Sequence, residues 1–384
     1  MIQTRQALVS SLGGKLELVS HVQVPAPGPG MMLCRTVAVG LNPADAKSGD
    51  YTLSPGSIGG FDFAGEVVQV GPGVTRFKPG DRVAGLTYGY NSDDKAMGAF
   101  ADTVLAAQDC TLKLTPEWTF EQGATLGVVV ATAILAIGTY LNVPLPYDDD
   151  NKTSNSGMDA KKQQVDVDGD SDSDSDSDSD PEYILVSGGA TATGMVAIQL
   201  LRLAGFRPVA TCSPASKALV LSLGAVAAFD YHSPTCGDDI RRFTGDKLRR
   251  VLDCVTSAET MSMCYAAISS SSRGGLGGRY VALEPVSTHV KYTRRDVTAD
   301  WVLMMSMFGT PVRLAGVYGR PAMPALRALA ARAFGMAESL IARGALRGPV
   351  FQVRLGGLAA VEAGIEDLRR GRRGGEGKLV YPLV

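Results

Sequence analysis

The chain has 384 residues, 45% hydrophobic and 20% charged, enough for a globular protein of two domains with a sizeable core. A secreted or membrane protein is not expected: no basic-then-apolar segment opens the chain, and the longest apolar run, Leu126 to Ile137, is short for a bilayer. The expected location is therefore cytoplasmic. The formal charge of −2 hides a division, because residues 148–180 hold twelve Asp and three Lys, net −9, and leave about +7 on the rest. That balance suits a phosphorylated ligand or an acidic protein partner, and equally a solubilising surface; neither nucleic acid nor a membrane is an expected partner.

Residues 1–140 alternate short β-branched runs with Gly and Pro, as in Met32 to Val39, Gly65 to Val70 and Arg82 to Gly85, which predicts a mostly antiparallel β region. Two loops stand out in it. Leu41 to Lys47 (LNPADAK) sets a carboxylate and an ammonium close together, as a solvated surface turn also would. Gly59 to Gly65 (GGFDFAG) precedes a strand, and its Asp62 is expected to be buried and to fix the turn by hydrogen bonding. After Thr119, an N-cap, the apolar segment Gly123 to Tyr140 predicts a core helix with one central polar side chain, Thr132. Its hydroxyl bonds back to its own helix or meets a ligand.

From Pro146 to Pro181 the composition breaks. Asp168 to Asp180 is nearly a pure Asp/Ser alternation with nothing apolar to bury, so residues 147–182 are expected to be a disordered acidic insert. Asp166, Asp168 and Asp170 do not make a calcium loop, because the glycine is one place off and no glutamate closes it. The six cysteines, at 34, 110, 212, 236, 254 and 264, include no close pair of the kind that binds zinc or cycles as a dithiol.

Beyond the insert, Tyr183 to Val186, Arg207 to Thr211, Ala225 to Asp230, Arg250 to Val255 and Arg279 to Leu283 read as strands separated by helices. The fold class is thus α/β, with a doubly wound parallel sheet whose ligand lies at the strands' C-terminal ends. The first strand runs into Gly188-Gly189 and a helix, a turn that brings backbone amides and a dipole to an anion, as in a pyrophosphate cradle. The usual three-glycine fingerprint is incomplete, since Thr191, Ala192 and Thr193 fill its middle. After the second strand, Cys212 to Lys217 (CSPASK) offers hydroxyls and an ammonium but no acid, which favours NADPH over NADH. Tyr231 follows the third strand and reaches the adenosine end or merely packs; Leu283 and Glu284 close the last.

With these pieces placed, the chain resembles the medium-chain dehydrogenase/reductase superfamily over all but the insert. The residues that carry the likeness are Asn42-Pro-x-Asp45-x-Lys47, Gly60-x-Asp62-x-Ala64-Gly65, Pro79-Gly80-Asp81-Arg82-Val83 and Gly377-Lys378-Leu379-Val380. The zinc-ligand cysteine and His-Glu pair of the alcohol dehydrogenases are missing, and His21, His232 and His289 lie elsewhere, so no metal is expected. More narrowly, GGATAT at 188–193, ATCSP at 210–214, FDY at 229–231 and Asp300-Trp301 resemble the fungal trans-acting enoyl reductases that serve highly reducing polyketide synthases.

That resemblance implies a GroES-like unit from 1–146 and 310–384, and a Rossmann-type cofactor unit from 183–309. It implies hydride transfer from NADPH to the β-carbon of an enoyl thioester tethered to a synthase acyl carrier domain, by a monomer. It places Ala44, Asp45, Ala46, Lys47 and Thr132 at the nicotinamide. Gly188, Gly189, Ala190, Thr191, Ala192 and Thr193 fall at the pyrophosphate; Ser213, Pro214, Ala215, Ser216, Lys217 and Tyr231 fall at the 2′-phosphate end. Leu283, Glu284, Leu379 and Val380 complete the cofactor set, and Lys47 is the catalytic candidate. Substrate is assigned to Ala133, Ile134, Leu135, Ala136, Ile137, Gly138, Thr139, Tyr140, Met304, Met305, Ser306, Met307 and Phe308, the methionines giving a deformable apolar wall. A free-standing quinone or enone reductase and a non-enzymatic, crystallin-like or scaffold NADPH-binding protein are the alternatives.

Overall fold

The computed structural model describes residues 4–51, 54–146, 181–270, 277–371 and 377–383. The expected insert lies outside the described residues except at its last two positions. In chain order, the strands β1 Thr4–Ser10, β2 Leu16–Gln23 and β3 Met31–Gly40 lead to helix α1 Pro43–Tyr51. Then follow β4 Asp62–Val70, β5 Arg82–Leu86, β6 Thr103–Ala107, β7 Thr111–Lys113, α2 Phe120–Gly123 and α3 Gly127–Ile134. The next stretch alternates: β8 Tyr183–Ser187, α4 Ala192–Leu203, β9 Arg207–Cys212, α5 Lys217–Ser222, β10 Ala227–Asp230, α6 Cys236–Phe243, β11 Arg250–Asp253, α7 Ala258–Ala267, β12 Gly278–Ala282, α8 Thr288–Lys291, β13 Val297–Trp301. The chain closes with α9 Pro324–Ala342, β14 Phe351–Val353, α10 Gly357–Arg369 and β15 Lys378–Pro382.

Strands β8 to β13 form a six-stranded sheet in the order β10-β9-β8-β11-β12-β13, with every pairing parallel. The chain builds outward from β8 to β10, then returns to β11 on β8's other side. The connections therefore diverge between β8 and β11, and a crevice opens there at the C-terminal ends of the strands. β8 is buried from Ile184 to Ser187, as its unbroken apolar run requires in a sheet covered on both faces. Five strands fall within two residues of expectation. The sixth, β13, was not foreseen: it is an edge strand whose VTADW alternates buried with exposed or half-buried positions and so carries no apolar run.

The second sheet has seven strands, β14-β15-β3-β4-β5-β7 with β6 also on β3. It is antiparallel save for the β14–β15 pair. It draws on both ends of the chain, since Val380 of β15 lies opposite Gly40 of β3.

The apolar segment expected as one helix is divided. Thr119 caps α2 in a capping box with Gln122, α3 follows, and Leu135–Tyr140 winds as a wider π-helical turn. Together Phe120–Tyr140 spans 21 residues, and an 18-residue window within it has mean hydropathy 1.8, which corrects the expectation that no run reaches bilayer length. Of its apolar window, 83% is buried inside the protein, so its apolar demand is met by packing.

Candidate active site

Where the crevice of the parallel sheet faces the second sheet, a cavity of about 460 Å³ opens. Leu41 to Ala44, Lys47 and Ser48 form one wall, and Val128, Val129 and Thr132 of α3 another. The rest comes from Ala190 to Thr193 and Met195 before and within α4, Cys254, Val255, Leu283 and Glu284 past β11 and β12, Trp301 to Met305, Leu314, Tyr318, Leu368 and Gly377 to Leu379.

At one end the turn Gly188-Gly189 leads into α4. Gly188 has φ +74°, and a Cβ on Gly194 would lie 2.4 Å from the Gly188 carbonyl oxygen. Gly188 N–H donates to Thr211 Oγ1 at 3.0 Å, and Gly189 N–H to the Thr211 carbonyl at 2.8 Å. The Thr191 hydroxyl oxygen accepts from Gly194 N–H at 3.1 Å, and the first turn of α4 carries no acidic side chain. This tight, acid-free helix start fits a pyrophosphate. Farther along the strand ends, the Ser213 and Ser216 hydroxyls lie 3.2 Å apart beside the exposed Lys217. The exposed Tyr231 lies against His232, its ring tilted by 34° at 4.1 Å between centroids.

At the other end, Lys47 Nζ lies 2.5 Å from Glu284 Oε1, and the Tyr318 hydroxyl donates to Glu284 Oε2 at 3.0 Å. Behind the wall sits a buried polar group. Lys378 Nζ pairs with Asp62 and donates to Asn42 Oδ1 at 2.8 Å. Asn42 Nδ2 donates to Asp62 Oδ2 at 2.9 Å, and Asp62 Oδ1 accepts from Val128 N–H at 2.6 Å. Asp62 is thus buried as expected, but its bonds go to Asn42, Lys378 and Val128 rather than to its own turn, and they pin α3 to the sheet. Asp45 Oδ2 accepts from Asn42 N–H at 2.7 Å; full burial pushes its carboxyl up to about 8, with Asp62 adding to the rise and the Asn42 bonds and Lys378 opposing it. Burial also raises the Cys254 thiol, which keeps it a neutral part of the wall. Among the described residues no three His, Cys, Asp or Glu side chains are grouped to hold a metal ion.

Of the expected residues, Ala44, Lys47, Thr132, Ala190, Thr191, Ala192, Thr193, Leu283, Glu284, Leu379, Met304 and Met305 line the cavity. The others are placed differently. Asp45 and Ala46 are turned into the core, and Val380 faces away from Leu379 because strand neighbours alternate. Gly188 and Gly189 shape the turn below the cavity, and Ser213 to Lys217 and Tyr231 lie outside its walls at the ends of β9 and β10. Ala133 to Ile137, expected at the substrate, are fully buried and outside the cavity lining. Of α3, Val128 and Thr132, one turn apart, and Val129 reach the cavity; Gly138, Thr139 and Tyr140 lie past it, where the Tyr140 carbonyl accepts from Arg279. Ser306, Met307 and Phe308 are buried beyond Met305, Phe308 stacking on Tyr88 at 5.2 Å. Asn42, Trp301 and Lys378 stood in quoted motifs without a site role, whereas Tyr318 and Leu314 carry no sequence signal at all.

Two family models match: the alcohol dehydrogenase GroES-like domain over residues 28–116 and the zinc-binding dehydrogenase over residues 192–296. A trans-enoyl reductase of Gibberella fujikuroi is 45% identical over 98% of this chain and 99% of its own length. The trans-enoyl reductase grgB of a Penicillium species is 44% identical over 100% and 99%. Among solved structures, the CurK enoyl reductase shares the fold at TM-score 0.70 and 18% identity, with 98% of each chain covered. At this identity and coverage the chain belongs to the trans-enoyl reductases of the medium-chain dehydrogenase/reductase superfamily.

Proposed function

We propose that this oxidoreductase uses NADPH to reduce the α,β-double bond of an acyl thioester carried by the acyl carrier domain of a partner polyketide synthase. The carrying observation is the cavity itself: a glycine turn fit for pyrophosphate at one end, a lysine at the other, and Met304 and Met305 along an apolar side. The names of three relatives, each a trans-enoyl reductase, support the reaction. Bound there, reduced nicotinamide supplies a hydride to the β-carbon.

The protein's own part is binding and polarisation. The α4 N-terminus and the Gly188 turn hold the pyrophosphate, while Ser213, Ser216 and Lys217 hold a 2′-phosphate, and the absence of an acid from Cys212 to Lys217 supports the choice of NADPH. Lys47 offers an ammonium to the thioester end of the substrate, where negative charge develops as the enolate forms. Val128, Val129, Met304 and Met305 keep water from the reacting carbons. Residues 1–146 and 310–384 act as the substrate unit and 183–309 as the cofactor unit. The +7 of charge outside the Asp/Ser stretch offers an acidic carrier domain a complementary surface.

The test is turnover of an enoyl-pantetheine thioester, free and carrier-bound, followed by loss of NADPH absorbance with NADH in parallel. Turnover faster on the carrier and with NADPH is expected. NADPH binding without turnover of either thioester overturns the reading.

A further inference from the structure

Tyr318 belongs to none of the motifs, yet it completes the contacts of Glu284. Lys47 Nζ donates to Oε1 of Glu284 at 2.5 Å and the Tyr318 hydroxyl to Oε2 at 3.0 Å, so both oxygens of one carboxylate are engaged from two distant segments. The phenol is itself held. Trp301 packs edge-on against its ring at 5.3 Å and 78°, Arg320 covers the Trp301 ring at 4.4 Å, and paired backbone hydrogen bonds of 3.0 Å between Val312 and Arg320 close the loop that carries it. A lysine on a four-carbon stem has wide rotamer freedom. A carboxylate fixed at its second oxygen by a clamped phenol removes much of that freedom, because it can no longer turn to follow the ammonium.

We propose that Glu284 and Tyr318 are positioning residues that hold Lys47 over one face of the substrate's α-carbon, and so set the face from which that carbon is protonated. The role rests on the enoyl-reductase reading. After hydride reaches the β-carbon, the enolate's electron pair forms a C–H bond at the α-carbon as one N–H bond of Lys47 breaks. The amine left behind regains its proton from water, which reaches it because the Lys47 side chain is 45% exposed.

The experiment is reduction of an α-methyl enoyl thioester by NADPH in deuterium oxide, with the α-carbon configuration of the product read by NMR. The wild type is expected to give one α-deuterated epimer. Glu284→Gln and Tyr318→Phe are expected to give mixtures, with kcat lowered about tenfold and about threefold, the larger loss following removal of a charge-assisted bond. Melting temperature should hold in both, which keep the parent shapes. Arg313→Ala, on the same loop but paired outward with Asp93, is expected to behave as wild type. A single epimer with unchanged kcat in both variants overturns the positioning role alone. A wild type that binds NADPH and leaves the thioester untouched overturns the enoyl-reductase reading and this role with it.

Discussion

Lys378 and Asp62 form an ion pair inside the protein, their side chains 3% and 0% exposed, at the back of the cavity wall. Asn42 and the Thr125 carbonyl take further hydrogen bonds from the same ammonium. Breaking a buried pair leaves its partner charged and unpaired, which costs about 3–5 kcal/mol. Lys378→Met is therefore expected to lower stability by that order in urea titration. Asp62→Asn keeps an oxygen for the Val128 amide but strands the Lys378 ammonium, and is expected to cost a similar amount. The double variant should cost less than the sum of the two, since the second change removes a charge already stranded.

Asp45 predicts a pH dependence of stability. Its carboxyl is raised in the fold to about 8 by burial, against about 3.9 for a solvated aspartate. Between these values the folded chain holds one more proton than the unfolded chain at this site. The contribution is fully present below about pH 4 and is lost as pH rises through about 8. Melting curves of the wild type across this window should show a decline that Asp45→Asn flattens.

The cofactor cradle is tested at Gly194. An added Cβ would meet the Gly188 carbonyl oxygen at 2.4 Å, a backbone atom unable to step aside alone. Gly194→Ala is expected to open the turn, weaken NADPH binding by tenfold or more in a fluorescence titration, and cost about 1–3 kcal/mol in stability. Equal affinity in the variant would remove the pyrophosphate from this turn.

Cofactor choice is tested at Lys217, exposed beside the Ser213 and Ser216 hydroxyls. Loss of one charge-assisted contact to a 2′-phosphate is worth about 1.5–3 kcal/mol. Lys217→Ala should raise the Kd for NADPH by about tenfold or more and leave that for NADH unchanged, as measured by parallel titration.

The parallel sheet was legible because β8 and β9 are short, largely apolar runs with glycine or proline nearby, the form a doubly covered strand takes. The same rule hid β13, which alternates at the edge. The turn at the cavity was legible where backbone shape demands particular residues, as at Gly188, whose φ is +74°. The site was not legible along α3, whose eight residues are all buried: a helix apolar on every side has no stripe to tell the cavity from the core, so Ala133 to Ile137 were expected at the substrate. Nor does any spacing foretell that Tyr318 meets Glu284, since that contact depends on how a loop folds back over Trp301.

The lateness of β15 has a consequence for how the chain is made. Asp62 and Lys378 are 316 residues apart in sequence, and the β3 edge at Ala38–Gly40 gains its second neighbour only when Val380 to Pro382 arrive. At the ~5–20 residues per second of synthesis, tens of seconds pass between the two. During that interval the nascent seven-stranded sheet has an unpaired strand edge and a carboxylate without its ammonium, so vectorial synthesis leaves it unfinished and adhesive. Yield in a cell should therefore depend on chaperones that shield this half-built sheet, and a fragment ending before β14 should aggregate where the full chain folds.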